Sequence, residues 1–211
     1  MDMKIGLALS GGGAKGLAHI GVLKVLEEHQ VPVHLLAGTS MGGIIAALYA
    51  AGRSAVEIEH LARSLRLLDI LQRDGSGTGL IGREKLAHRL REELGGERTF
   101  DQLEKPLALT AADLNTGEQI ILREGSVIQA VMATMAVPVL FSPVPWQGRL
   151  LADGGLLNQV PFDVVREMDQ QRGKTTRVIA VHTLHDLTDT PEKWPPLAGP
   201  GKAESIIRLL A

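Results

Sequence analysis

The chain has 211 residues, 45% of them hydrophobic and 22% charged, the composition of one globular unit long enough to bury a full core. A net charge of -2 and the lack of any basic run exclude a nucleic-acid footprint and a polybasic dock for lipid head groups. With no cysteine there is no disulfide framework, thiolate nucleophile or cysteine-ligated metal.

Taken in order, the segments alternate between strand and helix. MDMKIGLALSGGG has no basic n-region, long apolar stretch or cleavage site, so no signal peptide is expected and residues 4–9 read as a first strand. Residues 14–29 carry Leu17, Ile20, Leu23, Val25 and Leu26 near helical spacing. Residues 33–37 form a second apolar run, and residues 41–51 a helix closed by Gly52. Its apolar run IIAALYAA is far too short to cross a bilayer. Residues 57–68 and 83–94 predict helices, separated by the loop DGSGTG and ended by Gly95-Gly96. Residues 106–112 and 119–122 predict a hairpin around DLNTG. Helices are expected over 127–135 and 162–171, an extended loop over 137–146 with its three prolines, and a late strand over 177–181. A proline-rich stretch, 189–201, leads into an apolar helix start at 205–211, where the pattern breaks off. Such alternation predicts one α/β domain over 1–211, a three-layer α/β/α arrangement with a mostly parallel central sheet.

Three short motifs carry chemistry. SGGGAKG follows the first strand and opens a helix, so Gly11, Gly13 and Gly16 fit the dinucleotide fingerprint. The second strand, however, ends LLAGTS, without the acidic residue that would hold a ribose. Lys15 is followed by glycine, which spoils a phosphate loop. What remains is a row of backbone N–H groups suited to any developing negative charge, an oxyanion included. A nucleotide-binding module built on this loop stays open as an alternative.

Gly38-Thr39-Ser40-Met41-Gly42 sets a serine at a strand-to-helix turn, the way a catalytic serine is presented. A plain helix N-cap is the competing reading. Of seven histidines, only His182 and His185 follow a late strand. Ser40, Asp153 and either of them would satisfy the order serine, acid, histidine. Asp153 in LLADGGLLNQVP is the other candidate base: an ordinary Asp-Gly turn should lead into a clean strand, and NQVP is not one. Burial among apolar side chains would raise its pKa to a useful value. No cofactor or metal is expected, since no His/Asp/Glu cluster has ligand spacing.

With residues 11–16, 38–42 and 153–155 assembled, the chain resembles the patatin-like phospholipase family over nearly all of residues 4–183. The shared marks are Gly-Gly-Gly-x-Lys-Gly, Gly-x-Ser-x-Gly and Asp-Gly-Gly, with GLAHIGVL, DLNTGE and NQVP resembling bacterial members. The resemblance implies a patatin-like fold and a Ser–Asp dyad, with Ser40 as nucleophile and Asp153 as its base. It implies an oxyanion hole from the N–H groups of Gly11, Gly12, Gly13 and Met41, and structural roles for His19 and Asp113. The implied partner is a lipid or other ester substrate, met in the cytoplasm or at a membrane surface through transient contact. Phe141, Trp146, Met132, Met135 and Leu140 are candidates for an acyl pocket and equally for core.

Overall fold

The computed structural model describes residues 4–64, 80–172, 176–184 and 206–209. Its strands are β1 (Lys4–Leu9), β2 (Val33–Gly38), β3 (Leu107–Asp113), β4 (Gln119–Leu122), β5 (Val144–Trp146), β6 (Arg149–Asp153), β7 (Thr176–His182) and β8 (Ile206–Leu209). Its helices are α1 (Ala18–Glu28), α2 (Met41–Ala50), α3 (Ala55–Ser64), α4 (Leu80–Glu93), α5 (Val127–Thr134) and α6 (Phe162–Gln171). A 3-10 turn, Gly13–Leu17, leads into α1, so the helical pattern that begins near residue 14 is α-helical only from residue 18.

All strands join one sheet in the order β5-β6-β3-β2-β1-β7-β8, with β4 also on β3. The four central strands are parallel, and antiparallel additions flank them on both sides. Alternation along the central strands feeds two cores. Leu7, Leu9, Leu36, Leu107 and Leu109 face the side covered by α1 to α5. Ala8, Leu35, Ala37 and Ala108 face α6, which packs Val164, Val165 and Met168 against them. The arrangement is the expected α/β/α sandwich, with smaller side chains on the face that takes a single described helix.

Two expectations need correction. The stretch 137–146 is not all loop: Val144–Trp146 is a strand, joined to β6 by Gln147-Gly148 with φ of 47° and 78°. Positive φ at both central residues is the mark of a tight hairpin turn, and exposed Pro145 is tolerated because β5 lies at the sheet edge. The apolar end of the chain is a strand, not a helix: Ile206–Leu209 pairs with β7, where β-branched Ile206 and Ile207 suit a strand. The expected loop at 74–79, the end of the helix expected over 57–68, the proline-rich stretch and His185 lie outside the described residues.

The register around β3 positions the site. Leu109 pairs with Gly38 of β2 and with Leu122 of β4, which must therefore lie on opposite edges. Ala111 pairs with Ile120 of β4 and with Asp153 of β6. β2 and β6 thus share one edge of β3, running toward each other, and Asp153 stands just beyond the end of β2.

Candidate active site

Ser40 occupies the turn from β2 into α2 with φ 51° and ψ -123°, a conformation that side chains other than glycine rarely adopt. Its N–H donates to Thr134 Oγ1 at 2.9 Å, and its carbonyl accepts from Gly43 N at 2.9 Å and Ile44 N at 3.1 Å. The flanking glycines are required by packing. A Cβ on Gly42 would strike the carbonyl oxygens of Leu9 and Ser10, and one on Gly38 would sit 2.6 Å from Gly43 Cα. The turn therefore closes directly on the end of β1, and Ser40 is left half-buried at the carboxyl ends of the parallel strands.

Asp153, 5% exposed, ends β6 on the same side. Its N–H donates to Ala136 O at 2.9 Å, and its Oδ1 accepts from Gly155 N at 2.7 Å. Oδ2 is buried and takes no full hydrogen bond from any described group. Desolvation raises the carboxyl pKa above its ordinary 3.8, while the Ser40 hydroxyl and the Gly155 N–H pull it down. Among the described residues, Ser40 is the side chain whose hydroxyl favours the charged form of this carboxyl. A Cβ on Gly154 would collide with Thr110, so the turn after Asp153 also needs glycine.

The glycine loop lies beside them. The Gly11 carbonyl accepts from Ser10 Oγ at 2.8 Å and Thr183 Oγ1 at 3.1 Å. Its N–H donates to Gln159 O at 3.1 Å, which removes Gly11 from the set of open donors. The N–H groups of Gly12, Gly13 and Met41 meet no acceptor among the described residues. Gly13, with φ 52°, makes the turn that opens the 3-10 segment. His19 is fully buried and holds the Ser10 carbonyl through Nε2 at 2.8 Å. Burial depresses its pKa to about 4, so it is neutral, with Nε2–H as donor and Nδ1 as an unpartnered lone pair. That is the structural role expected of it.

The remaining candidates separate clearly. β7, which ends at His182, lies on the far side of β1 from β2. Among the described residues no histidine shifts the Asp153 carboxyl. Met132, Met135 and Trp146 are buried in the core, Phe141 packs partly buried against it, and Leu140 is half exposed. Asp113, fully buried, accepts from Arg149 Nη1 at 2.7 Å and from Asn115 N at 2.9 Å, tying the β3–β4 turn to the start of β6. Among the described residues no group of three metal-ligating side chains occurs.

Sequence reasoning missed the hydroxyl frame. Thr39 Oγ1 meets Thr110 Oγ1 at 2.7 Å and donates to Asn158 O at 2.9 Å, and Thr134 holds the Ser40 N–H. The available signal was a lone threonine within each apolar run, LALTAAD and VMATMA. A buried hydroxyl needs a partner, and these find theirs at the site.

Comparison with known proteins agrees with this architecture. The family profile described as patatin-like phospholipase matches residues 7–166. An uncharacterized NTE family protein of Mycobacterium tuberculosis (strain ATCC 25618 / H37Rv) is 37% identical over 162 residues, 75% of this chain and 44% of that protein. Patatin-like phospholipase domain-containing protein 6 of Mus musculus is 34% identical over 206 residues, 92% of this chain and 15% of that protein. The crystal structure of VipD from Legionella pneumophila shares the fold with a TM-score of 0.57 at 18% identity, over 74% of this chain and 46% of that one. The chain spans less than half the length of each of these relatives.

Proposed function

The chain belongs to the patatin-like phospholipase family, and on that premise we propose that it hydrolyses carboxylic esters of lipids through Ser40 and Asp153. The observation that carries the reading is the buried Asp153 carboxylate, whose Oδ2 has no hydrogen-bond partner among the described residues and whose pKa is raised by burial while the Ser40 hydroxyl lowers it.

Oδ2 of Asp153 takes the hydroxyl proton as Ser40 Oγ attacks the ester carbonyl carbon. The carbonyl oxygen becomes an oxyanion, met by the N–H groups of Gly12, Gly13 and Met41, the last at the positive end of α2. Collapse expels the alcohol, which receives the proton from Asp153, and leaves Ser40 acylated. Asp153 then takes a proton from water, the resulting hydroxide attacks the acyl ester, and Ser40 leaves with that proton. Every group is returned to its starting state, and neither metal nor histidine enters. Val139 and Leu156, 88% and 54% exposed and close in sequence to Ala136 and Asp153, support transient contact with a lipid surface. No helix among the described residues is long and apolar enough to cross a membrane.

Hydrolysis of a short p-nitrophenyl ester tests the reading. Ser40→Ala should abolish turnover and labelling by a fluorophosphonate. The double variant His182→Ala/His185→Ala should stay within a few-fold of wild type. Collapse of the double variant with the fold intact would replace the dyad with a triad.

A further inference from the structure

Thr134 is the last residue of α5, a largely buried helix that packs against α2, β3 and β6. It therefore lies between the helix that follows Ser40 and the strand that delivers Asp153. Its Oγ1 accepts the Ser40 N–H at 2.9 Å, across 94 positions of sequence. Two residues on, the Ala136 carbonyl accepts the Asp153 N–H, also at 2.9 Å. One helix end thus holds the backbones of both residues. The hold on Ser40 matters because a φ of 51° with a ψ of -123° persists only where the surroundings impose it. The Ser40 carbonyl is bonded from within its own turn, by Gly43 N and Ile44 N, whereas Thr134 reaches the N–H from another element. The threonine methyl has a different neighbour: a Cβ on Gly43 would lie 2.9 Å from Thr134 Cγ2, so the methyl fills the space beside α2.

We propose that Thr134 is a positioning residue for ester hydrolysis: its hydroxyl oxygen fixes the strained Ser40 backbone so that the serine hydroxyl stays directed at Asp153. The proposal rests on the reading of Ser40 as nucleophile and Asp153 as base. A relaxed Ser40 backbone would carry Oγ away from the carboxylate, and small misplacements of a reacting atom cost large factors in rate. Because the oxygen of Thr134 is the acceptor, a valine of the same shape would leave the Ser40 N–H without its partner. The bond also commits the nucleophile's own N–H, which leaves the oxyanion to Gly12, Gly13 and Met41. A signature at Asp153 follows. The Ser40 hydroxyl lowers the pKa of that carboxyl, so moving Ser40 away lets it rise.

Hydrolysis of p-nitrophenyl acetate by Thr134→Val and Thr134→Ser, each checked for folding by circular dichroism, tests the role. Thr134→Val should lower kcat ten-fold or more with KM within two-fold of wild type, slow fluorophosphonate labelling by a similar factor, and move the acid limb of kcat/KM to higher pH. Thr134→Ser keeps the hydroxyl and loses the methyl. It should hold kcat within three-fold of wild type and leave the acid limb where it was. A threonine needed only for packing would suffer from loss of the methyl and would not move that limb. Should Thr134→Val fail to fold, Thr134→Ala against Thr134→Ser gives the same comparison, since the two differ only in the oxygen. Wild-type kcat in a folded variant without the oxygen, or a ten-fold loss in folded Thr134→Ser, overturns the role while the serine mechanism stands. Hydrolysis that survives Ser40→Ala overturns the mechanism itself, and the role with it.

Discussion

Asp153 is held under two opposed demands. The proposed chemistry needs its charge, while burial disfavours that charge and raises its pKa above 3.8. The base form is the active one, so kcat/KM should fall as pH drops through an apparent pKa above the ordinary carboxylate range. A folded pKa above the unfolded one means a stability contribution that is present below pH 3.8 and lost as pH rises through the folded value. At neutral pH the charged side chain therefore costs stability. Asp153→Asn should raise the Tm while lowering kcat by about 10²–10⁴-fold, and a variant that loses both would deny the trade-off. His19 has the opposite shift, from 6.5 to about 4. Its contribution is present above pH 6.5 and declines as pH falls toward 4, by about 3 kcal/mol in total. His19→Gln keeps a neutral donor for Ser10, so urea unfolding of this variant should show a flatter stability profile across that window than wild type.

At the scale of elements, what was legible followed periodicity and punctuation. The helix 162–171 and the strand 4–9 agree residue for residue with their apolar patterns. Gly52 and Gly95-Gly96 end their helices with positive φ, as glycine allows. The hairpin β5–β6 was hidden because prolines at 138, 143 and 145 suggest loop, and its edge position, which tolerates them, is a tertiary fact. The last strand was hidden for a related reason: whether Ile206–Leu209 forms helix or strand depends on the open edge of β7. At the site, three motifs could be read from their residues. The loss of Gly11 as a donor could not, since its partner Gln159 comes from a distant segment. Thr110 and Thr134 were legible only as lone hydroxyls in apolar runs, and the pairings of Thr39, Thr110 and Thr134 were out of reach, because each is remote in sequence from the partner it serves.

At the scale of the molecule, the nucleophile's strand and the base's strand meet only along β3. Ser40 belongs to the early parallel strands, whereas Asp153 arrives on a hairpin held by three pairs to β3 and by the ion pair of Arg149 with Asp113. Distant pairings form slowly, after the loops between them have been closed. The site thus has a history as well as a geometry: it is assembled in time, and its last component is a short edge hairpin. In refolding from urea, the far-UV signal of the helices should return first and esterase activity later, in a separate phase. Weakening the tie with Arg149→Ala should lengthen that lag more than it delays the helical signal, and simultaneous recovery of both would show that the hairpin docks with the rest. Catalytic competence would then serve as a clock for the final step of folding.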